Sequence, residues 1–313
     1  MSENLDPSSP DYEGNLLRAV VIGTATAVVF GLGGFFLIRD ESGAMGATLF
    51  VLLPFATGTA IALVVSGVKL IRASLLMGAI ICSGFLIATK MEGWVCLLMS
   101  TPLIAVGLIV GAVIGVLFRR HVIDKRRYQR LFSLFLLLLL AVFLMGANRV
   151  ERDSRRTPRL QTVINKLVVK ATPDVAWNQL KSLDHISSSK GLLMRIGLPV
   201  PVRCTMQGEG VGAKRTCYFE SGHIEERVTE WNPPNLMSFE ITDFDVPGRP
   251  WLSFKDASYE LTQENGQTVI VRTTTIVSRL SPAAYWRPLE KLGVETEHEY
   301  LFEELKKRID GVK

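Results

Sequence analysis

Side chains able to do chemistry are few in this 313-residue chain, and they gather in its second half. Three of its four histidines, His185, His223 and His298, lie there. No two of them stand at metal-ligand spacing. No His-Glu-x-x-His, Cys-x2-Cys or glycine-rich phosphate loop leading into a helix is present either. The sequence therefore names no catalytic residue, no metal and no cofactor. His298 falls between Val294 and Leu301 in a helical stretch, as an acid/base facing a cavity or as a histidine satisfied beside a sheet. Glu225, Glu226 and Glu230 share one strand-like run. Strict alternation puts Glu226 and Glu230 on a common face, which either lines a pocket or meets solvent.

Cys204 and Cys217 are the cysteines outside the apolar runs, and they flank Gly208–Gly212. In an antiparallel hairpin turning between Gly210 and Val211 they stand opposite each other. Non-hydrogen-bonded partners there have Cα atoms about 4.5 Å apart, a separation a disulfide accommodates. Two small buried thiols are the alternative. Trp177, Trp231, Trp251, Phe239 and Tyr259 supply the aromatic content of a core, and some of them could line a cavity.

Strands and one long helix must position these residues. Leu160–Lys170 alternates and is β-branched, so it predicts a strand. Thr172 and Pro173 then open a helix through Val175, Ala176, Trp177 and Leu180. A second short helical stretch ends at Pro199-Val200-Pro201. Six further strands follow: Val202–Gln207, Ala213–Glu220, His223–Trp231, Leu236–Thr242, Trp251–Thr262 and Thr268–Leu280. Short connections rich in Gly, Pro and Asn separate them, the signature of an antiparallel meander. Pro282–Ile309 closes the chain as a helix with Leu289, Leu292, Leu301, Phe302, Leu305 and Ile309 on its apolar side.

Four stretches in this half carry a family resemblance: Ala171–Trp177, Gly208–Arg215, Glu226–Pro234 with Leu236 and Phe239, and Tyr285–Leu289. In this order they resemble the START-like superfamily, also called SRPBCC, of polyketide cyclases/dehydrases and lipid-transport proteins. The resemblance spans residues 159–310. It implies an α+β helix-grip domain, a curved antiparallel sheet around a long C-terminal helix, with a cavity for a hydrophobic or lipid-like ligand. Trp177, Glu226, Phe239, Tyr259, His298 and Leu301 are the residues expected at that cavity. The superfamily shares no catalytic set, so the resemblance supplies none.

The first half is of another kind. Residues 19–38, 42–68, 73–89, 93–118 and 131–147 are apolar runs without a single Asp, Glu, Lys or Arg. About 17–25 residues of helix cross the hydrocarbon core of a bilayer. About five spans within 16–148 are therefore expected, as an α-helical transmembrane bundle in a bacterial inner membrane. The run 73–89, one of the two shortest, is the weakest of the five. Residues 1–15 predict a disordered N-terminus, and residues 149–158 a basic linker. No ionisable residue lies at depth in the runs, which argues against an ion- or proton-coupled transporter. Gly107, Gly111 and Gly115 share one helical face, for close packing inside the bundle or for a homo-oligomer seam.

Charge agrees with this division. Residues 1–157 hold 15 Lys/Arg against 10 Asp/Glu, so the whole excess of +5 sits in the apolar half and the second half is neutral. The basic residues are membrane-edge clusters, and no nucleic-acid partner is expected. Six Lys/Arg lie between Arg119 and Arg130, which assigns that loop to the cytoplasm. Five spans then put the C-terminal domain on the opposite side. The function expected from the sequence is a membrane-anchored module binding a hydrophobic small molecule or a lipid from the bilayer. An aromatase/cyclase-type enzyme acting on a polyketide-like substrate is the alternative.

Overall fold

The structure is a computed structural model, and it describes residues 10–38, 45–89, 91–123, 129–154, 157–181, 183–246 and 251–311. The chain falls into two compact units, one formed by the apolar half and one by the residues from Thr157 onward.

In the first unit, α1 (Pro10–Val28) continues through a π-helical turn, Val29–Gly33, into α2 (Gly34–Ile38). A second π-helical turn, Thr48–Leu52, opens α3 (Leu53–Val64). Then come α4 (Val68–Ala88), α5 (Trp94–Phe118) and α6 (Gln129–Ser154). Among the described residues, four helices are long and apolar enough to cross a membrane: Asn15–Ile38, Val68–Ala88, Trp94–His121 and Phe132–Arg152. The weak run is thus not 73–89, whose helix starts five residues earlier at Val68. It is 42–68, whose apolar helix is confined to Thr48–Val64.

That short helix is the buried one. Ala60, Ile61 and Ala62 have no exposed surface, whereas Leu76, Ile80, Ile109, Leu138 and Val142 on α4, α5 and α6 are more than half exposed. The ends of α3 also account for its unpaired backbone groups. A carboxylate suits the positive end of a helix dipole and a cation the negative end. The Glu151 carboxylate accepts from Ala47 N at 2.6 Å and Thr48 N at 2.9 Å. The Arg119 guanidinium donates to Ala62 O at 3.0 Å and also to Val65 O. Asn148 Nδ2, one turn before Glu151, donates to Ile38 O.

Gly107, Gly111 and Gly115 face the stretch from Val51 to Ala62. A Cβ on Gly111 would stand 2.0 Å from Phe55 O, and Thr59 Oγ1 donates to Gly111 O at 3.0 Å. The glycine face is therefore used within the chain. Two sequence expectations need correction here. Helix α1 begins at Pro10, inside the stretch expected to be disordered, while residues 1–9 lie outside the described residues. Helix α6 runs to Ser154, through most of the expected linker.

The second unit is one seven-stranded antiparallel sheet with a long helix. Its strands are β1 (Arg159–Val169), β2 (Pro201–Gln207), β3 (Lys214–Phe219), β4 (Gly222–Asn232), β5 (Leu236–Asp245), β6 (Leu252–Glu264) and β7 (Gln267–Ser278). The order across the sheet is β1-β7-β6-β5-β4-β3-β2. Helices α7 (Pro173–Lys181) and α8 (Leu192–Arg195) fill the connection from β1 to β2, and α9 (Ala283–Gly311) ends the chain. Trp177, Leu180, Met237, Phe239, Tyr259, Ile270, Leu301 and Leu305 form the core between sheet and helices. Arg159 Nη2 donates to both Glu290 oxygens at 2.8 Å, tying the start of β1 to α9.

Helix α9 is phased differently from the sequence reading over its first half. Its buried face runs Trp286, Glu290, Val294, His298, Leu301, Phe302, Leu305 and Ile309, and Leu292 is 47% exposed. Reading leucines alone missed a face that a tryptophan, a glutamate and a histidine build.

Candidate ligand site

The inner face of the sheet carries charged residues along two rows. Asn165 of β1 pairs in register with Arg272 of β7, and Arg272 with Tyr259 of β6. Two strands further along, Arg215 of β3 pairs in register with Glu226 of β4. The alternation that turns Ile270, Thr274 and Ile276 toward the core turns Arg272 inward with them. Ala213, Arg215 and Cys217 share the inner face of their strand in the same way.

These charged groups are buried and mostly paired. Arg215 Nη1 donates to Glu226 Oε2 at 2.7 Å, with side chains only 3% and 9% exposed. Arg272 Nη2 reaches Glu297 of α9 at 3.0 Å. The Tyr259 ring lies between the two guanidiniums, 5.8 Å from that of Arg215 and 5.4 Å from that of Arg272. Arg215 also stands over Phe239 at 5.0 Å. Burial opposes both cations, but Glu226 and Tyr259 at Arg215, and Glu297 and Tyr259 at Arg272, hold each above its ordinary pKa. Burial pushes the Glu297 carboxyl upward, and Arg272 offsets only part of that.

Three atoms of this cluster have no acceptor or donor among the described residues: Arg272 Nε, Arg272 Nη1 and Tyr259 Oη. Tyr259 Oη lies close enough to Arg215 to favour its charge without making a hydrogen bond of good geometry. A buried donor left unmet costs about 1–3 kcal/mol. An apolar residue of similar size would avoid that cost.

His298 is fully buried and both ring nitrogens are engaged. Nδ1 is 2.7 Å from Asn165 Oδ1, and Nε2 is 2.9 Å from Thr274 Oγ1. Nδ1–H donates to the amide oxygen and the threonine hydroxyl donates to Nε2, which fixes a neutral ring. Burial, with the nearby charge of Arg272, lowers its pKa to about 2. Of its two sequence readings, the satisfied histidine is the one the geometry matches.

The remaining expected residues divide. Trp177, Glu226, Phe239, Tyr259, His298 and Leu301 all lie buried between the sheet and its helices, with Trp177 edge-on to Trp231 at 5.1 Å. Glu226 is paired inward and is not solvated. Glu230 does not share its face, because a bulge between Val228 and Glu230 shifts the register and leaves Glu230 exposed beside Ser238. His185 is exposed, and His223 is 3.3 Å from Asp243 at the surface. Cys204 and Cys217 pair in register and form a disulfide within the core, their Cα atoms 4.0 Å apart. No group of His, Cys, Asp and Glu that could hold a metal occurs among the described residues. Sequence reasoning missed Arg215, Arg272 and Glu297. The parity of Arg272 with Ile270 and Ile276 was the available signal for one. The symmetry of Arg215 and Glu226 about Glu220–Ser221 was the signal for another.

No family model matches the sequence, and no curated protein matches it either. Solved structures do resemble about half or more of this chain. A START superfamily protein from Mycobacterium smegmatis is 11% identical with a TM-score of 0.36, over 49% of this chain and 99% of that one. Norcoclaurine synthase from Thalictrum flavum, in complex with dopamine and hydroxybenzaldehyde, is 15% identical with a TM-score of 0.36, over 51% and 91%. The di-domain ARO/CYC BexL from the BE-7585A biosynthetic pathway is 10% identical with a TM-score of 0.37, over 65% and 64%. The element order and the sheet topology give residues 159–311 a helix-grip fold, an antiparallel sheet packed against the long C-terminal helix.

Proposed function

We propose that residues 159–311 bind a hydrophobic or lipid-like molecule between the sheet and α9, and that the helices of residues 10–154 hold this domain at a membrane. The unmet buried donors of Arg272 and Tyr259, set among Phe239, Met237 and Leu301, carry the reading. Groups that cost stability when unpaired are retained where a ligand pairs them. Binding without turnover is the better account, because the one histidine at the site is not free to move a proton. His298 has both nitrogens committed. Full-length protein in nanodiscs should gain thermal stability from a lipid extract, and Leu301→Trp should remove the gain. No shift with any apolar class would overturn the proposal.

The same proposal gives five membrane crossings and an extracytoplasmic domain. Helix α3 is short, but its start is held by Glu151 near the end of α6 and its end by Arg119 at the end of α5. Those two residues belong to opposite ends of the bundle, since the α5–α6 connection lies at the Arg119 end. This supports a helix that runs the full depth of the bundle. The six Lys/Arg of that connection favour a cytoplasmic loop. A disulfide in the domain suits an oxidising compartment.

A further inference from the structure

We infer that the molecule bound between the sheet and α9 ends in an oxyanion, a carboxylate or a phosphate, received by Arg272 and Tyr259 with Glu297 as the group it displaces. The inference rests on the binding function proposed above and specifies the ligand's polar end.

The donor inventory leads to it. A guanidinium has five N–H hydrogens, and Glu297 engages Nη2 alone. Among the described residues, nothing accepts the hydrogens on the buried Nε and Nη1, and the Tyr259 hydroxyl, on a ring between Arg272 and Arg215, has no hydrogen bond of good geometry either. A ligand that answers this set must bring several acceptor lone pairs, and one that takes the Nη2 edge from Glu297 can pair with two parallel N–H bonds. A carboxylate or phosphate does so, and hydrogen bonds between two charged groups are about twice as strong as neutral ones. An alcohol offers a single uncharged oxygen and cannot make that two-bond pairing.

The neighbours restrict where the oxyanion docks. Asn165, His298 and Thr274 satisfy one another and present no charge. Arg215 is sealed against Glu226, with both side chains under a tenth exposed. Glu297 differs, because its side chain is 19% exposed and it is held by the single nitrogen Nη2. It is the carboxylate able to turn toward solvent when another anion takes its place, so the buried charge stays balanced.

The test uses full-length protein in phosphatidylcholine nanodiscs, titrated calorimetrically at neutral pH against empty nanodiscs. The probes are dodecanoate, dodecyl phosphate, dodecanol, acetate and inorganic phosphate. Both dodecyl anions should bind about tenfold or more tighter than dodecanol. Acetate and inorganic phosphate should bind far more weakly, which separates an amphiphile's headgroup from a free anion. Arg272→Met should reduce dodecanoate to the level of dodecanol. Tyr259→Phe should lessen the anion preference, and Glu297→Gln should tighten anion binding several-fold, an effect a purely structural role does not produce. Dodecanol binding as tightly as dodecanoate would overturn the oxyanion and leave hydrophobic binding intact. Failure of every dodecyl probe would overturn both. If Arg272→Met does not fold, the Tyr259 and Glu297 variants decide the matter by the same ratio.

Discussion

Arg215 and Glu226 face each other across two strands in a core otherwise built of Phe239, Met237 and Leu261. Removing one partner leaves a charge that burial penalises, whereas removing both leaves a hydrophobic gap that can be filled. Glu226→Ala should therefore cost about 3–5 kcal/mol, and Arg215→Met with Glu226→Leu should lie near wild type. Thermal unfolding of the three proteins followed by tryptophan fluorescence checks this. His298 gives a pH signature of opposite sense to a salt-bridged histidine. Its folded pKa is about 2, below the unfolded value of 6.5. Between these values the unfolded chain holds a proton that the folded chain lacks, so stability is complete above pH 6.5 and falls on acidification. The slope is one proton, about 1.4 kcal/mol per pH unit. Melting temperatures of wild type and His298→Gln from pH 7 to pH 4.5 should converge as pH falls. A constant gap would mean that His298 does not carry the slope.

At the level of elements, the hairpin β2–β3 and the contact between α3 and α5 are the pieces with sharp consequences. The disulfide closes a short loop, with a sequence separation of 13 between its cysteines. Cross-linking a loop of that size removes about 3 kcal/mol of unfolded-state entropy in the chain-entropy account. Cys204→Ser with Cys217→Ser should lower the melting temperature of the domain, and non-reducing mass spectrometry of the native protein should find the bond. Gly111 must remain without a side chain, because a Cβ there meets the backbone of Phe55. Gly84, with nothing within 4 Å of an added Cβ, serves as the control. Gly111→Leu should destabilise the detergent-solubilised protein strongly, Gly84→Ala hardly at all, as read by loss of the monodisperse peak on heating. A changed oligomeric state without loss of stability would instead mean that the glycine face joins two chains.

For the whole molecule, the path of α3 sets the side on which the domain resides relative to the N-terminus. With α3 crossing, reporters fused before Met1 and after Lys313 should lie in opposite compartments, because five crossings separate them. Agreement between the two would mean that α3 does not cross. The sequence by itself determined the elements here. Apolar runs are long enough to cross a bilayer, and strands alternate because one face is buried, so both kinds of element are written locally. The hairpin symmetry of Cys204 and Cys217 was legible for the same reason, since a short turn fixes register. Tertiary structure alone decided the rest. The bulge that turns Glu230 outward depends on the pairing of β4 with β5. The inward face of α9 depends on the sheet it packs against, so His298 acquires its partners from β1 and β7, more than 20 residues away in the chain. A charged residue on an alternating strand has two possible faces, and only the fold shows which is buried. Arg272 therefore entered the site through the helix that closes over it, which brings Glu297 to one of its nitrogens and leaves the others unmet.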